Sequence, residues 1–142
     1  MPNPLQLREF DPEFLSSFQR GLVEVLGVTD KAQLPNVFKL PVAVALTDDI
    51  VERLCARYDI QSGSDRAKHV AAAIDRYRRR AQYHYAILKG EAKYDLDMKK
   101  SAEITDRERE DWQRRFDHLK RQQKIGNRKA QLTPIQRQFS RL

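Results

Sequence analysis

The stretch GEAKYDLDMKKSAEITDRERE, residues 90–110, decides how this chain folds. Residues 92–96, Ala-Lys-Tyr-Asp-Leu, alternate in the manner of a strand, residues 97–100 read as a turn, and residues 101–104 return as the second strand of a hairpin. Thr105-Asp106-Arg107-Glu108 then has the form of a capping box, in which threonine and glutamate reciprocally satisfy free amides at a helix start. Trp112, Phe116 and Leu119 mark the buried side of that helix, which is expected to fray after Lys124.

Working outward, Asp11-Pro12-Glu13 predicts another helix start. Aspartate accepts the first free amides, proline fits the first helical position, and glutamate favours the positive end of the dipole. Phe14, Leu15, Phe18, Leu22, Val25 and Leu26 follow at helical spacing, and Gly27 supplies a stop. A short helical turn within residues 29–38 is broken at Pro35-Asn36, and the apolar run LPVAVAL, residues 40–46, reads equally as buried loop or strand. Thr47-Asp48-Asp49 opens a helix striped by Ile50, Val51, Leu54 and Tyr58 and closed over residues 59–63. Ser64-Asp65 caps a longer helical pattern reaching about Lys89, long enough to bend, with Val70, Ala73, Ile74, Tyr77, Ala81 and Leu88 on one side and Gly90 at its end.

The 142 residues carry 27 Lys plus Arg against 20 Asp plus Glu, a formal charge of +7, with 40% hydrophobic residues: one basic domain with enough apolar material for a single core. Residues 118–142 hold seven basic side chains and no acid, so the net charge equals that of the tail. Residues 66–100 hold ten basic and four acidic side chains, a second basic region. Such runs are usually solvated faces, so charge alone does not establish a polyanion partner. No apolar run approaches a membrane span and the opening MPNPLQLREFD lacks the form of a signal peptide, so a cytoplasmic location is expected. The single Cys55 reads as a buried, inert thiol.

Chemistry of an enzymatic kind finds little support. His69, His84 and His118, or Asp95, Asp97 and Glu103, match no metal-ligand or acid-base spacing; the histidines read as surface residues and the hairpin acids as turn formers and charge partners. There is no phosphate-cradling glycine loop, nucleophile elbow or HExxH. No cofactor, metal or small-molecule substrate is expected. The central helix says more. Arg76, Arg80 and Tyr83 recur at intervals of four and three, which places two guanidinium groups and a ring on one face, with Arg79 and Lys68 extending it. Guanidinium groups pair with phosphate oxygens and tyrosine stacks on bases, a combination that suits RNA; an ordinary basic helix with Tyr77 and Tyr85 turned inward fits the same spacing. The amides of Asp106 and Arg107 at the Thr105 helix start offer a second anion site, flanked by Arg107 and Arg114 and tempered by Glu108, Glu110 and Asp111.

Residues 41–116 resemble the FinO domain of the ProQ/FinO family of bacterial RNA chaperones. The resemblance rests on LPVAVALTDDIVERL (residues 40–54), Tyr83-His84-Tyr85, GEAKYDLD (residues 90–97) and the Ile104-Thr105 helix start, in that order. It implies a compact, mostly helical α+β domain with a short β-hairpin, and proteins that bind RNA hairpins with single-stranded 3′ tails, such as terminators and small regulatory RNAs. Carried across, Tyr83 matches the family's RNA-contacting tyrosine at the 3′-end pocket, Lys93 stands where many members have arginine, Thr105 to Arg107 match the helix start that receives phosphates, and Arg114 matches a basic position on the last helix. Ala45 and Met98 replace family glycines, and Ala67, Ala71 and Asp75 occupy positions where some members place basic residues. Lysine at Lys93 lacks the arginine fork.

The expectation is therefore an RNA-binding domain over residues 1–125 and a flexible basic arm over residues 126–142, acting as a monomer. Duplex phosphates would meet Thr105, Asp106, Arg107 and Arg114, and 3′-terminal nucleotides would enter a pocket of Tyr83, Tyr85 and Lys93 bordered by Arg76 and Arg80. The stretch from Lys120 would add salt-sensitive attraction. The rival readings are a small DNA-binding regulator with the helix of residues 66–80 in a major groove, and a protein-interaction adaptor.

Overall fold

The computed structural model describes residues 8–131. The first helix, α1 (Pro12–Leu26), begins as its sequence dictates: the Phe14 amide donates to the Asp11 carboxylate at 3.2 Å, and Gly27 ends the helix at φ 73°. A 3-10 turn (Lys31–Gln33) and the single-turn α2 (Asn36–Lys39) lead to the apolar run, which is a loop buried over residues 43–46. Ala43, Val44, Ala45 and Leu46 are each at most 2% exposed. Buried amides require acceptors. Those of Val44 and Leu46 donate to the hydroxyl oxygens of Tyr77 and Tyr83, at 2.9 and 3.2 Å.

The chain continues through α3 (Ile50–Arg57) to α4 (Asp65–Arg78), where the Ser64 hydroxyl oxygen accepts the Ala67 amide at 3.1 Å. The single long helix expected to about Lys89 is instead two. Arg80 is extended, at φ −70° and ψ 143°, and α5 (Ala81–Lys89) sets off in a new direction. The cause is tertiary. Tyr77 and Tyr83, six residues apart, would point about 120° apart around one straight helix, yet both hydroxyls serve the same buried loop. At Gly90 any Cβ would press on the Ala86 carbonyl oxygen, so the turn out of α5 requires glycine.

Strands β1 (Ala92–Tyr94) and β2 (Lys100–Glu103) form the expected antiparallel hairpin, with Ala92 opposite Glu103 and Lys93 opposite Ala102. The first strand is two residues shorter than predicted because the turn is wider, and the second keeps its four residues but begins one residue earlier. The Asp95 carboxylate accepts the amides of Asp97 and Lys99, each at 2.9 Å, and Met98 takes a left-handed φ of 63° where the resembled family has glycine. Arg57 grips Asp97 through two 2.9 Å bonds. The hairpin acids Asp95 and Asp97 thus act as turn former and charge partner.

Helix α6 (Asp106–Gln131) follows with its capping box intact: the Glu108 amide donates to the Thr105 hydroxyl oxygen at 3.2 Å and the Thr105 amide to the Glu108 carboxylate at 3.3 Å. It runs past Lys124 and through Gly126 to Gln131, because Gly126 and Asn127 are the only poor helix formers in that stretch. The rest of the predicted arm, residues 132–142, lies outside the described residues.

Through the core runs a chain of aromatic contacts, from Phe14 to Phe18, Tyr77, Tyr83 and Trp112, with successive centroids 5.9, 5.3, 5.7 and 5.2 Å apart. One end lies on α1; the other lies on α6. No described helix is long and apolar enough to cross a membrane.

Candidate functional site

At the α6 end of the aromatic chain an open cleft of about 730 Å³ lies between the α4–α5 break, β1 and α6. Its cationic rim comes from Arg78 and Arg79 on one side and Arg114 and Arg115 on the other. Its inner wall is apolar and aromatic, built from Leu46, Tyr83, His84, Ile87 and Trp112. The break in the helix makes this possible: it turns Arg78 and Arg79 toward α6 while Tyr83 and His84 form the floor beneath them.

Lys93 sits at the base of the cleft with only 5% of its surface exposed. Its ammonium group pairs with Asp48 at 2.9 Å and with Glu108. Burial opposes the lysine charge, but hydrogen bonds to Glu108 and Asp48 outweigh it and raise the Lys93 pKa above its ordinary value. Burial likewise opposes the Glu108 charge, but the hydrogen bonds its carboxylate accepts from Lys93 and from the Thr105 amide override it, so the Glu108 carboxyl is held below the usual range. Glu108 thereby joins two features that the sequence shows separately. One carboxylate closes the α6 capping box and anchors the lysine of the cleft.

His84, expected at the surface, is 3% exposed. Its ring packs edge-to-face on Trp112 at 4.8 Å and against Phe116 at 6.0 Å. Burial, then the positive charge of Arg115, keep its pKa below the ordinary value, so the imidazole is held neutral.

Of the residues singled out in the sequence, the cleft brings together Tyr83, Lys93 and Arg114. Tyr83, however, is 2% exposed, with its hydroxyl oxygen engaged by the Leu46 amide, so its ring offers no open face for stacking. Thr105 and Asp106 lie at the adjoining α6 start, beside a shallow depression that also includes Lys100, Glu103 and Arg109. Arg107 is exposed on the same first turn. Lys120 lies farther along α6, over the Phe116 ring at 4.5 Å.

Arg76, Arg80 and Tyr85 are not part of the cleft lining. The α4–α5 break takes Arg76 and Arg80 off the face of Tyr83; their guanidinium groups cover Phe14 of α1, at 5.8 and 4.4 Å from the ring centroid. Tyr85 is half-buried beneath Arg8, at 4.3 Å. The other arginines of the central helix are also dispersed: Arg66 donates to the Val25 carbonyl at 2.7 Å, Arg78 to the Thr47 carbonyl at 3.1 Å, and Arg79 pairs with Asp75. No single cationic face of the kind a major-groove helix needs results.

Arg78, Arg115, His84 and Trp112 were not among the residues singled out as the site, and Arg79 was read only as extending the face of Arg76 and Arg80. The spacing of Glu108, Trp112 and Arg115 at intervals of four and three was the available signal, since it puts all three on one side of α6.

A family model described as the ProQ/FINO family matches residues 23–131. No curated protein matches this chain. Among solved structures, the crystal structure of a FinO-like RNA chaperone from Neisseria meningitidis is similar to it, with a TM-score of 0.50 and 21% sequence identity, over 70% of this chain and 74% of the other. That likeness is one of fold, and it agrees with the mostly helical domain and two-stranded hairpin described above. The family match extends beyond the resemblance visible at residues 41–116, taking in the last turn of α1 and the whole of α6, and on that ground the chain belongs to the ProQ/FinO family.

Proposed function

We propose that this protein is an RNA-binding chaperone that grips the base of a terminator-like hairpin and takes the single-stranded 3′ tail into the cleft. The observation that carries the reading is the cleft itself, where four arginines surround an apolar, aromatic wall in a chain of the ProQ/FinO family. Guanidinium forks suit phosphate oxygens, and an apolar wall suits unstacked bases, which single-stranded RNA offers and a regular duplex does not. The mechanism is binding, without a catalytic step.

In this reading the phosphates of the stem meet the first turn of α6, where Asp106 and Arg107 present amides at the positive end of the helix, while Arg114 and Arg79 hold the tail at the rim. Lys93 acts from below. Its bonds to Asp48 and Glu108 set the position of β1 against α6, so its contribution to RNA binding is chiefly to shape the cleft. Lys120 and the basic residues beyond it add sequence-independent attraction that weakens with salt. The targets are small regulatory RNAs and mRNA 3′ ends in the cytoplasm, whose stability and pairing the protein influences as a monomer.

The test is binding of the full chain to a terminator hairpin with a uridine tail and free 3′ hydroxyl, beside the same RNA with a 3′ phosphate and a DNA copy. The reading expects selective loss with the phosphate and with DNA. Equal binding to all three would reduce the protein to a general polyanion binder.

A further inference from the structure

Within the cleft, the aromatic side chains with surface left to offer are on α6: Trp112 on the inner wall and, farther along, the exposed His118. Tyr83 and His84 are 2% and 3% exposed, whereas Trp112 is half-buried at the wall. The indole is held in place by edge-to-face contacts, with Tyr83 at 5.2 Å and 64° and with His84 at 4.8 Å and 88°. Two buried rings therefore fix the plane of a third without covering it completely. Over the Trp112 ring, 4.8 Å from its centroid, lies the guanidinium carbon of Arg115, whose planar, weakly hydrated group stacks on aromatic faces. Arg115 itself is exposed and makes no ion pair among the described residues.

We infer that Trp112 is the base-stacking residue of the cleft: the 3′-terminal nucleobase of a bound RNA takes the place of the Arg115 guanidinium on the indole face, and the freed guanidinium turns to the adjoining phosphate. This rests on the RNA-binding reading above and moves the stacking role from Tyr83, which the spacing of the central helix suggested, to a residue that spacing did not single out. Tyr83 is then a positioning residue. It orients the indole with its ring and anchors the buried loop with its hydroxyl oxygen. The exchange is economical in charge, since Arg115 stays in the site and changes partner from a ring quadrupole to a phosphate.

Trp112 is the single tryptophan of the chain, so its emission reports on the cleft directly. The experiment titrates the full chain with the uridine-tailed hairpin and with the same hairpin whose last nucleotide is abasic, reading affinity by filter retention and emission by intrinsic fluorescence. The expected result is a change in Trp112 emission with the native RNA only, and roughly ten- to hundred-fold weaker binding of the abasic RNA, the range that one base–aromatic stack supplies. Trp112→Phe should keep the preference for the native RNA. Trp112→Ala should bind both RNAs with equal, reduced affinity. Tight binding of both RNAs by the native chain, or tight binding of the native RNA with unchanged emission, would overturn the stacking role while leaving the RNA-binding reading in place. Failure to bind either RNA would overturn both.

Discussion

The two ends of the aromatic chain carry the same chemistry and arrive at different surfaces. At the α1 end, Arg76 and Arg80 lie over Phe14; at the α6 end, Arg115 lies over Trp112. Arg76 and Arg80 cover an apolar ring and complete the packing of α1 on α4. At the α6 end the backbone has broken between α4 and α5, and the arginines stand around an opening. A count of arginines and rings does not distinguish the two ends. What distinguishes them is whether the backbone leaves a concave space between them, and in this protein two tyrosine hydroxyls aimed at one buried loop decide that.

The comparison breaks most sharply at the rim. Arg79 and Arg114 have side chains about three-quarters exposed, so replacing both with glutamine should leave stability within about 0.5 kcal/mol. The same double substitution should weaken hairpin RNA binding roughly a hundred-fold near 0.1 M salt and lower the salt slope by about two. A titration at several salt concentrations reads both quantities.

Next in size is the support beneath the cleft. Lys93→Met removes the cation that Glu108 faces and should cost about 2 kcal/mol in urea unfolding, less than for a wholly buried pair, because the Asp48 carboxylate is largely in solvent. If Lys93 were chiefly a phosphate contact, affinity would fall and stability would hold.

A smaller effect belongs to His84. Its pKa in the folded chain is depressed, so the unfolded chain takes up the proton first, and stability should decline as pH falls through about 6.5. The Glu108 contribution is lost only at lower pH, since its folded pKa lies below its ordinary 4.5. Urea midpoints at pH 7.5 and 5.5 should therefore differ for the native chain and differ less for His84→Phe. A native chain with no such slope would show that His84 accepts a proton without penalty.

The smallest effect is expected at the other end. Arg76→Gln with Arg80→Gln should change RNA affinity by no more than about twofold, by the same titration, and cost about 1 kcal/mol in stability through the lost contacts with Phe14. A large loss of RNA binding there would erase the distinction between the two ends.

Much of this architecture was legible in local sequence. Asp11-Pro12, Ser64 and the Thr105–Glu108 pair each begin a helix through contacts within three residues, and local rules suffice for local contacts. A bend was allowed for in the long helical pattern, but the place of the α4–α5 break was not legible, because Arg78 to Ala81 contains neither glycine nor proline and the helical spacing continues across it. Its cause lies in Val44 and Leu46, more than thirty residues away. The same long-range cause displaced the expected site, since Arg76, Arg80 and Tyr83 share a face only on an unbroken helix. Burial of His84 depends on Trp112, twenty-eight residues later, and was equally hidden.

The central claim is that the cleft, and not the α1 face, receives the RNA 3′ end. Photo-crosslinking with a thiouridine at the 3′ terminus of the hairpin, followed by mass-spectrometric mapping of the attached peptide, tests it most directly. The account predicts attachment within α5 and α6 at cleft residues such as His84, Trp112 and His118. Attachment at Phe14 or Arg76 would contradict it.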